Sequence, residues 1–80
     1  MKAADGKENK RSASIGLTVN GEARSAPAST SVAGLLDALG IPPLRVAVEH
    51  NRRILKRVEF PDVVLADGDR LEIVHFVGGG

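Results

Sequence analysis

Residues 29–43 read "STSVAGLLDALGIPP", and this stretch decides how the rest of the chain is read. Val32, Leu35, Leu36 and Leu39 recur at intervals of three and four, which places them on one face of an α-helix. Ser and Thr stand at the helix start, where a side-chain oxygen can accept from a free backbone N–H. Gly40 suits the left-handed position just past the end, and Pro42-Pro43 prevent continuation. Gly34 weakens the helix by about 1 kcal/mol relative to alanine. The reading is one short amphipathic helix.

On both sides of it the period changes to two. Upstream, "IGLTVNGEARSA" alternates Ile15, Leu17 and Val19, then meets Asn20-Gly21, a pair suited to a hairpin turn in which both residues take positive φ. Downstream, "LRVAVEHN" puts Val46 and Val48 on one side and Arg45, Ala47 and Glu49 on the other. "RRILKRV" can pair back through a turn at Asn51-Arg52. The segment "EFPDVVLADGD" reads as mostly loop, with a short apolar run at 63–65 and a turn at Asp67-Gly68-Asp69. The last strand, "RLEIVHFV", sends Leu71, Ile73 and His75 one way and Glu72, Val74 and Phe76 the other.

The order strand, strand, helix, strand, strand, strand implies an α+β domain with a mixed sheet of four to five strands around one main helix. One helix covers one face of a sheet and leaves the other wet. The expected core is Leu17, Val19, Val32, Leu35, Leu36, Leu39, Val46, Val48, Leu71 and Ile73, too small to enclose a substrate pocket. Residues 1–14, "MKAADGKENKRSAS", have no large aliphatic side chain after Met1 and read as a flexible extension before a domain at 15–80.

Composition narrows the function. The chain has 80 residues, no cysteine, and 11 Lys+Arg against 10 Asp+Glu. The absence of cysteine removes disulfides, thiolate metal sites and a cysteine nucleophile. The near balance of charge speaks against a nucleic-acid or membrane partner, and two aromatics, Phe60 and Phe76, make no stacking platform. With no signal-like or membrane-length apolar run, the expectation is a cytoplasmic protein. His50 and His75 have no helix-spaced partner and read as structural, with His75 towards the core edge. Asp67 and Asp69 flank Gly68 and read as turn formers rather than an acid–base pair. The basic run Arg52, Arg53, Lys56 and Arg57 reads as a solvated hairpin face or a contact with an acidic partner, ahead of a nucleic-acid site. No metal site and no catalytic residue is expected.

The chain closes on Gly78-Gly79-Gly80. Three extended glycines reach about 10 Å and can thread a channel in which any Cβ would clash. A terminal carboxylate is a poor electrophile, so it becomes an acyl donor only after a partner activates it, for instance as an acyl-adenylate. Val74 and Phe76, with Ala47 as neighbour, lie on the outward face beside this arm. They suggest a patch for partner binding, although single exposed apolar residues are ordinary.

These pieces resemble a known family. "VNGE" (19–22), "SVAGLLDALGI" (31–41), "VAVEHN" (46–51) and "DGDRLEIVHFVGGG" (67–80) are similar to the ThiS family, sulfur carriers of thiamine thiazole synthesis with a ubiquitin-like β-grasp fold. Residues 1–14, the stretch "LKRVEFPDVVLA" (55–66) and the third glycine depart from the family pattern. The resemblance implies that Gly80 carries an adenylate and then a thiocarboxylate, with Gly78 and Gly79 as the flexible approach. It implies no bound cofactor. The partners would be an E1-like, ThiF-like adenylyltransferase using MgATP, a sulfur donor such as a cysteine desulfurase, and a ThiG-like thiazole synthase. The chain would be a co-substrate and not an enzyme. Other readings are the small subunit of molybdopterin synthase, a carrier for another sulfur pathway, a ubiquitin-like protein modifier, or a binding module with an inert tail.

Overall fold

The computed structural model describes residues 13–77. Strand β1 (Ser14–Val19) and strand β2 (Glu22–Pro27) form an antiparallel hairpin, with Ser14 opposite Pro27. Asn20 and Gly21 take φ values of 51° and 83°, the paired positive values that match the twist of a two-residue hairpin. The strand begins at Ser14, one residue inside the stretch expected as extension, because Ser14 still finds a partner in β2.

Helix α1 (Val32–Ala38) is short and depends on its ends. The Ser31 hydroxyl accepts from the Gly34 N–H at 3.0 Å. At the other end Gly40 has φ 72°, and the N–H groups of Gly40 and Ile41 donate to Asp37 and Leu36 carbonyls at 3.0 and 2.9 Å. This doubled closure satisfies carbonyls that the helix leaves free and turns Ile41 back onto the core. Val32, Leu35 and Leu36 are buried against the sheet, whereas Leu39, expected in the core, is only half-buried near the helix end.

A 3₁₀ turn (Pro43–Arg45) leads into β3 (Val46–His50), which pairs antiparallel with β4 (Arg53–Leu55). Asn51 and Arg52 form the turn with φ 49° and 73°. A second 3₁₀ turn (Arg57–Glu59) and an irregular stretch come next, and β5 (Arg70–His75) ends the described fold. The sheet order is β2-β1-β5-β3-β4, with β5 parallel to β1 and antiparallel to β3. A mixed five-stranded sheet around one helix is the expected architecture.

The irregular stretch between β4 and β5 is more than a connection. Val63 and Phe60 carbonyls accept from the Val32 and Ala33 N–H groups at 2.9 and 3.0 Å, and Leu65 N–H donates to Thr30 at 2.9 Å. The first-turn donors of α1, which no helix can satisfy internally, are therefore met by this segment. It also buries Phe60 and Leu65, which with Leu55 and Ala26 complete a core whose other members alternation already indicated.

Side chains complete the attachment of β5. Parallel pairing with β1 runs only from Thr18↔Arg70 to Val19↔Leu71. Beyond it the Asn20 carboxamide takes over, accepting from Ile73 N–H at 2.7 Å and donating to Ile73 O at 3.1 Å. Asn51 does the same at the start of the strand: its Oδ1 accepts from Arg70 N–H at 2.9 Å. Asp67 Oδ1 accepts from Gly16 N–H at 2.6 Å, so the turn before β5 grips β1. Asp69 Oδ2 lies 2.7 Å from His50 Nε2 and accepts from Ala66 N–H at 2.9 Å, while Oδ1 accepts from Asn51 Nδ2 at 3.1 Å. Both aspartates form the turn and also tie it to strands on either side.

Burial works against the Asp69 charge, but the bonds from His50, Ala66 and Asn51 outweigh it and hold the carboxyl below its ordinary range. A folded-state pKa below the unfolded one stabilises the fold at pH values above the unfolded carboxyl range. That contribution is lost as the pH falls through the folded pKa. Asp69→Ala should therefore cost about 1–3 kcal/mol at neutral pH. Its deficit relative to the wild type should shrink below about pH 4, which urea unfolding at several pH values will measure. Phe60→Ala should cost about 3–5 kcal/mol, seen as a lower urea midpoint. A loop that merely spans the gap would lose far less.

Candidate functional site

The inner side of β5 is committed to the core: Leu71 and Ile73 are buried. Its outer side is open. Val74 and Phe76 are each 59% exposed, as alternation indicates, and half-buried Ala47 lies directly opposite Val74 on β3. The three residues proposed for partner binding are thus brought together on the sheet face away from α1. Val77 continues the apolar run at 92% exposure, at the point where the described chain leaves the body of the fold.

Sequence reasoning missed a fourth member. Ile54 on β4 is 71% exposed, and Val48↔Leu55 and Glu49↔Ile54 pairing puts it on the same outer face. The signal was present in "RIL": with Leu55 turned inward, its neighbour must point out. A shallow depression of about 130 Å³ lies here, lined by Ala47, Val48, Glu49, Ile54, Glu72 and Val74.

His75 departs from expectation. Alternation aimed it at the core edge, but it is exposed. β1 stops at Val19, opposite Leu71, so among the described residues no strand flanks β5 on that side at the level of His75, and its imidazole is exposed. His50 is structural in the sense expected, held against Asp69. The basic residues lie on the β3–β4 turn and the 3₁₀ turn beyond it. Arg53 approaches Glu59 at 3.4 Å, and all four cations are exposed.

Two further depressions lie on the helix side. One is between β2 and α1, and the other borders the helix end at Gly40 to Pro43. Neither gathers acid–base partners, and among the described residues no group of three or more His, Asp or Glu could hold a metal ion. No helix among them is long and apolar enough to cross a membrane. Gly78, Gly79 and Gly80, assigned the tail and acyl roles, lie outside the described residues, as do residues 1–12. The site is therefore the central strand of the sheet, with Val74 and Phe76 exposed on its outer side, leading in sequence directly into three glycines.

The sequence matches the ThiS family over residues 17–80. It is 47% identical over 64 residues to a thiazole synthase of Magnetococcus marinus, a match covering 80% of this chain and 20% of that protein, so the chain spans a fifth of that relative's length. It is 51% identical over 35 residues to the sulfur carrier protein ThiS of Bacillus subtilis, covering 44% of this chain and 53% of that protein. The crystal structure of thiamine biosynthesis protein ThiS from Geobacter metallireducens, 38% identical, superposes with a TM-score of 0.72 over 82% of this chain and the whole of the other. The family match runs from within β1 through the other four strands and the helix to the closing glycines, and the superposition shows the same ubiquitin-like β-grasp: the chain belongs to the ThiS family.

Proposed function

We propose that this chain is a sulfur carrier of thiamine biosynthesis that works through the carboxyl group of Gly80. The observation that carries the reading is the attachment of β5. The strand preceding the glycines is the central strand of the sheet, paired on both sides and clamped by Asn20, Asn51 and Asp69. Such a strand gives a short arm a fixed origin and direction, and glycines let that arm enter a channel too narrow for side chains. Family membership supports the same reading, since the match runs through Gly80.

In chemical terms, a Gly80 carboxylate oxygen attacks the α-phosphorus of MgATP on an E1-like adenylyltransferase, and pyrophosphate leaves. The terminal sulfur of a persulfide carried by a donor such as a cysteine desulfurase then displaces AMP at the acyl carbon. A thiol cleaves the S–S bond of the resulting acyl disulfide, releasing the thiocarboxylate and leaving the thiol joined to the donor sulfur as a disulfide. That sulfur passes to thiazole synthase. Support for this acceptor comes from relatives named thiazole synthase that contain a segment similar to this chain. The outer face at Val74, Phe76 and Ala47 is where such enzymes dock. The chain is their co-substrate.

Incubation with the adenylyltransferase, MgATP, cysteine, a desulfurase and a thiol reductant should replace one carboxyl oxygen by sulfur, read by intact-protein mass spectrometry. Removing Gly79 and Gly80 should abolish the exchange without changing the urea midpoint. An unchanged wild-type mass with active partners would refute the proposal. Separately, Phe76→Asp should weaken binding to the partner enzymes by about tenfold or more, the loss expected on truncating a central apolar anchor. Its folded spectrum should be unaltered.

A further inference from the structure

The register of β3 against β5 places Glu49 directly opposite Glu72 on the outer sheet face. Like charges at opposed cross-strand positions destabilise a sheet. The chain has 11 Lys+Arg with which to neutralise them, yet neither glutamate makes an ion pair among the described residues. Around the two carboxylates stand Ile54, Ala47 and Val74, the apolar lining of the shallow depression between β4 and β5. The arrangement costs the free domain stability and gives it an acidic centre within an apolar surround.

Resting on the reading of this face as the docking surface, we propose that its partner enzyme seats a cationic side chain, arginine or lysine, between Glu49 and Glu72, with its aliphatic stem against Ile54 and Val74. The chemistry of the site selects this occupant. A purely apolar partner would strip water from two charges and leave them unpaired, which is costly. A long cationic side chain supplies both parts: methylenes for the apolar rim and N–H donors for the two carboxylates. A guanidinium can bridge both carboxylates at once with its fork of donors. The open face and only two carboxylates are a poor match for a hard divalent cation, which gathers six or more oxygens. The pair also sets selectivity, because a partner presenting an acidic residue at this point is repelled.

The test uses the full chain and the thiazole synthase and adenylyltransferase of the same organism. Affinities of the wild type, Glu49→Gln/Glu72→Gln and Phe76→Asp are compared by calorimetry at low and physiological salt. The double variant should bind at least one enzyme about tenfold more weakly, with a flatter salt dependence. Its own Tm should rise by about 1–5 °C as the repulsion is relieved. A higher Tm with unchanged affinity for both enzymes overturns the inference: the pair is then only a local repulsion. If Phe76→Asp weakens binding while the double variant does not, this inference falls and the docking surface stands. If Phe76→Asp binds as the wild type does, the docking surface falls and this inference with it.

Discussion

Strand β5 enters the sheet between β1 and β3, and the rest of this small fold is arranged around keeping it there. Its pairing to β3 is antiparallel over five residue pairs, while its parallel contact with β1 spans only two. Parallel contact that short would leave one edge of the central strand exposed beyond Leu71. The carboxamide of Asn20 fills part of the gap, offering Ile73 the same donor and acceptor that a further β1 residue would have offered. β5 is thus held by β1 and Asn20 on one side as far as Ile73, and by β3 on the other as far as His75. The proposed function would use such an anchor to aim the closing glycines at a reacting atom.

The two hairpins solve one problem twice. Each begins its turn with an asparagine in the left-handed region, Asn20 at φ 51° and Asn51 at φ 49°, and each uses that residue's side chain to bond the backbone of β5. Asparagine tolerates this conformation better than most residues, and its amide mimics a peptide group. Turn formation and strand attachment are thereby served by the same two side chains. The segment between β4 and β5 has an analogous double use, since it caps the donors of α1 while delivering Phe60 and Leu65 to the core. Seven residues of helix hold their place because both ends are satisfied from outside the helix itself.

The two sheet faces divide the labour. The inner face holds the core against α1, and the outer face carries Val74, Phe76 and Ile54 in the open around half-buried Ala47. Burying those apolar groups intramolecularly would take a second helix that this chain does not devote to it among the described residues. In the function proposed above, an apolar face left open next to the acyl end would let recognition of the body and access to Gly80 occur in one encounter. His75, turned to water because β1 ends short of it, belongs to that same open margin and not to the core.

Local chemistry was legible in the sequence. Asn20-Gly21, Ser31, Gly40 and Asp67-Gly68-Asp69 each act within a few residues, so their turns and caps could be read without knowing the fold. The outward Val74 and Phe76 came from a period of two. The resemblance carried by those pieces supplied the β-grasp, while the roles it implies for the glycines fall outside the described residues. Tertiary structure alone decided the features that depend on partners distant in the chain. Phe60 and Leu65 sit in a stretch with no regular period, and their burial is set by where α1 crosses the sheet. Ile54 joins the outer face because of a three-residue strand too short to show alternation. Asn20 bonds Ile73, and Glu49 faces Glu72, because strand order and register set those neighbours. Register is a property of two strands together, and neither strand's sequence contains it alone.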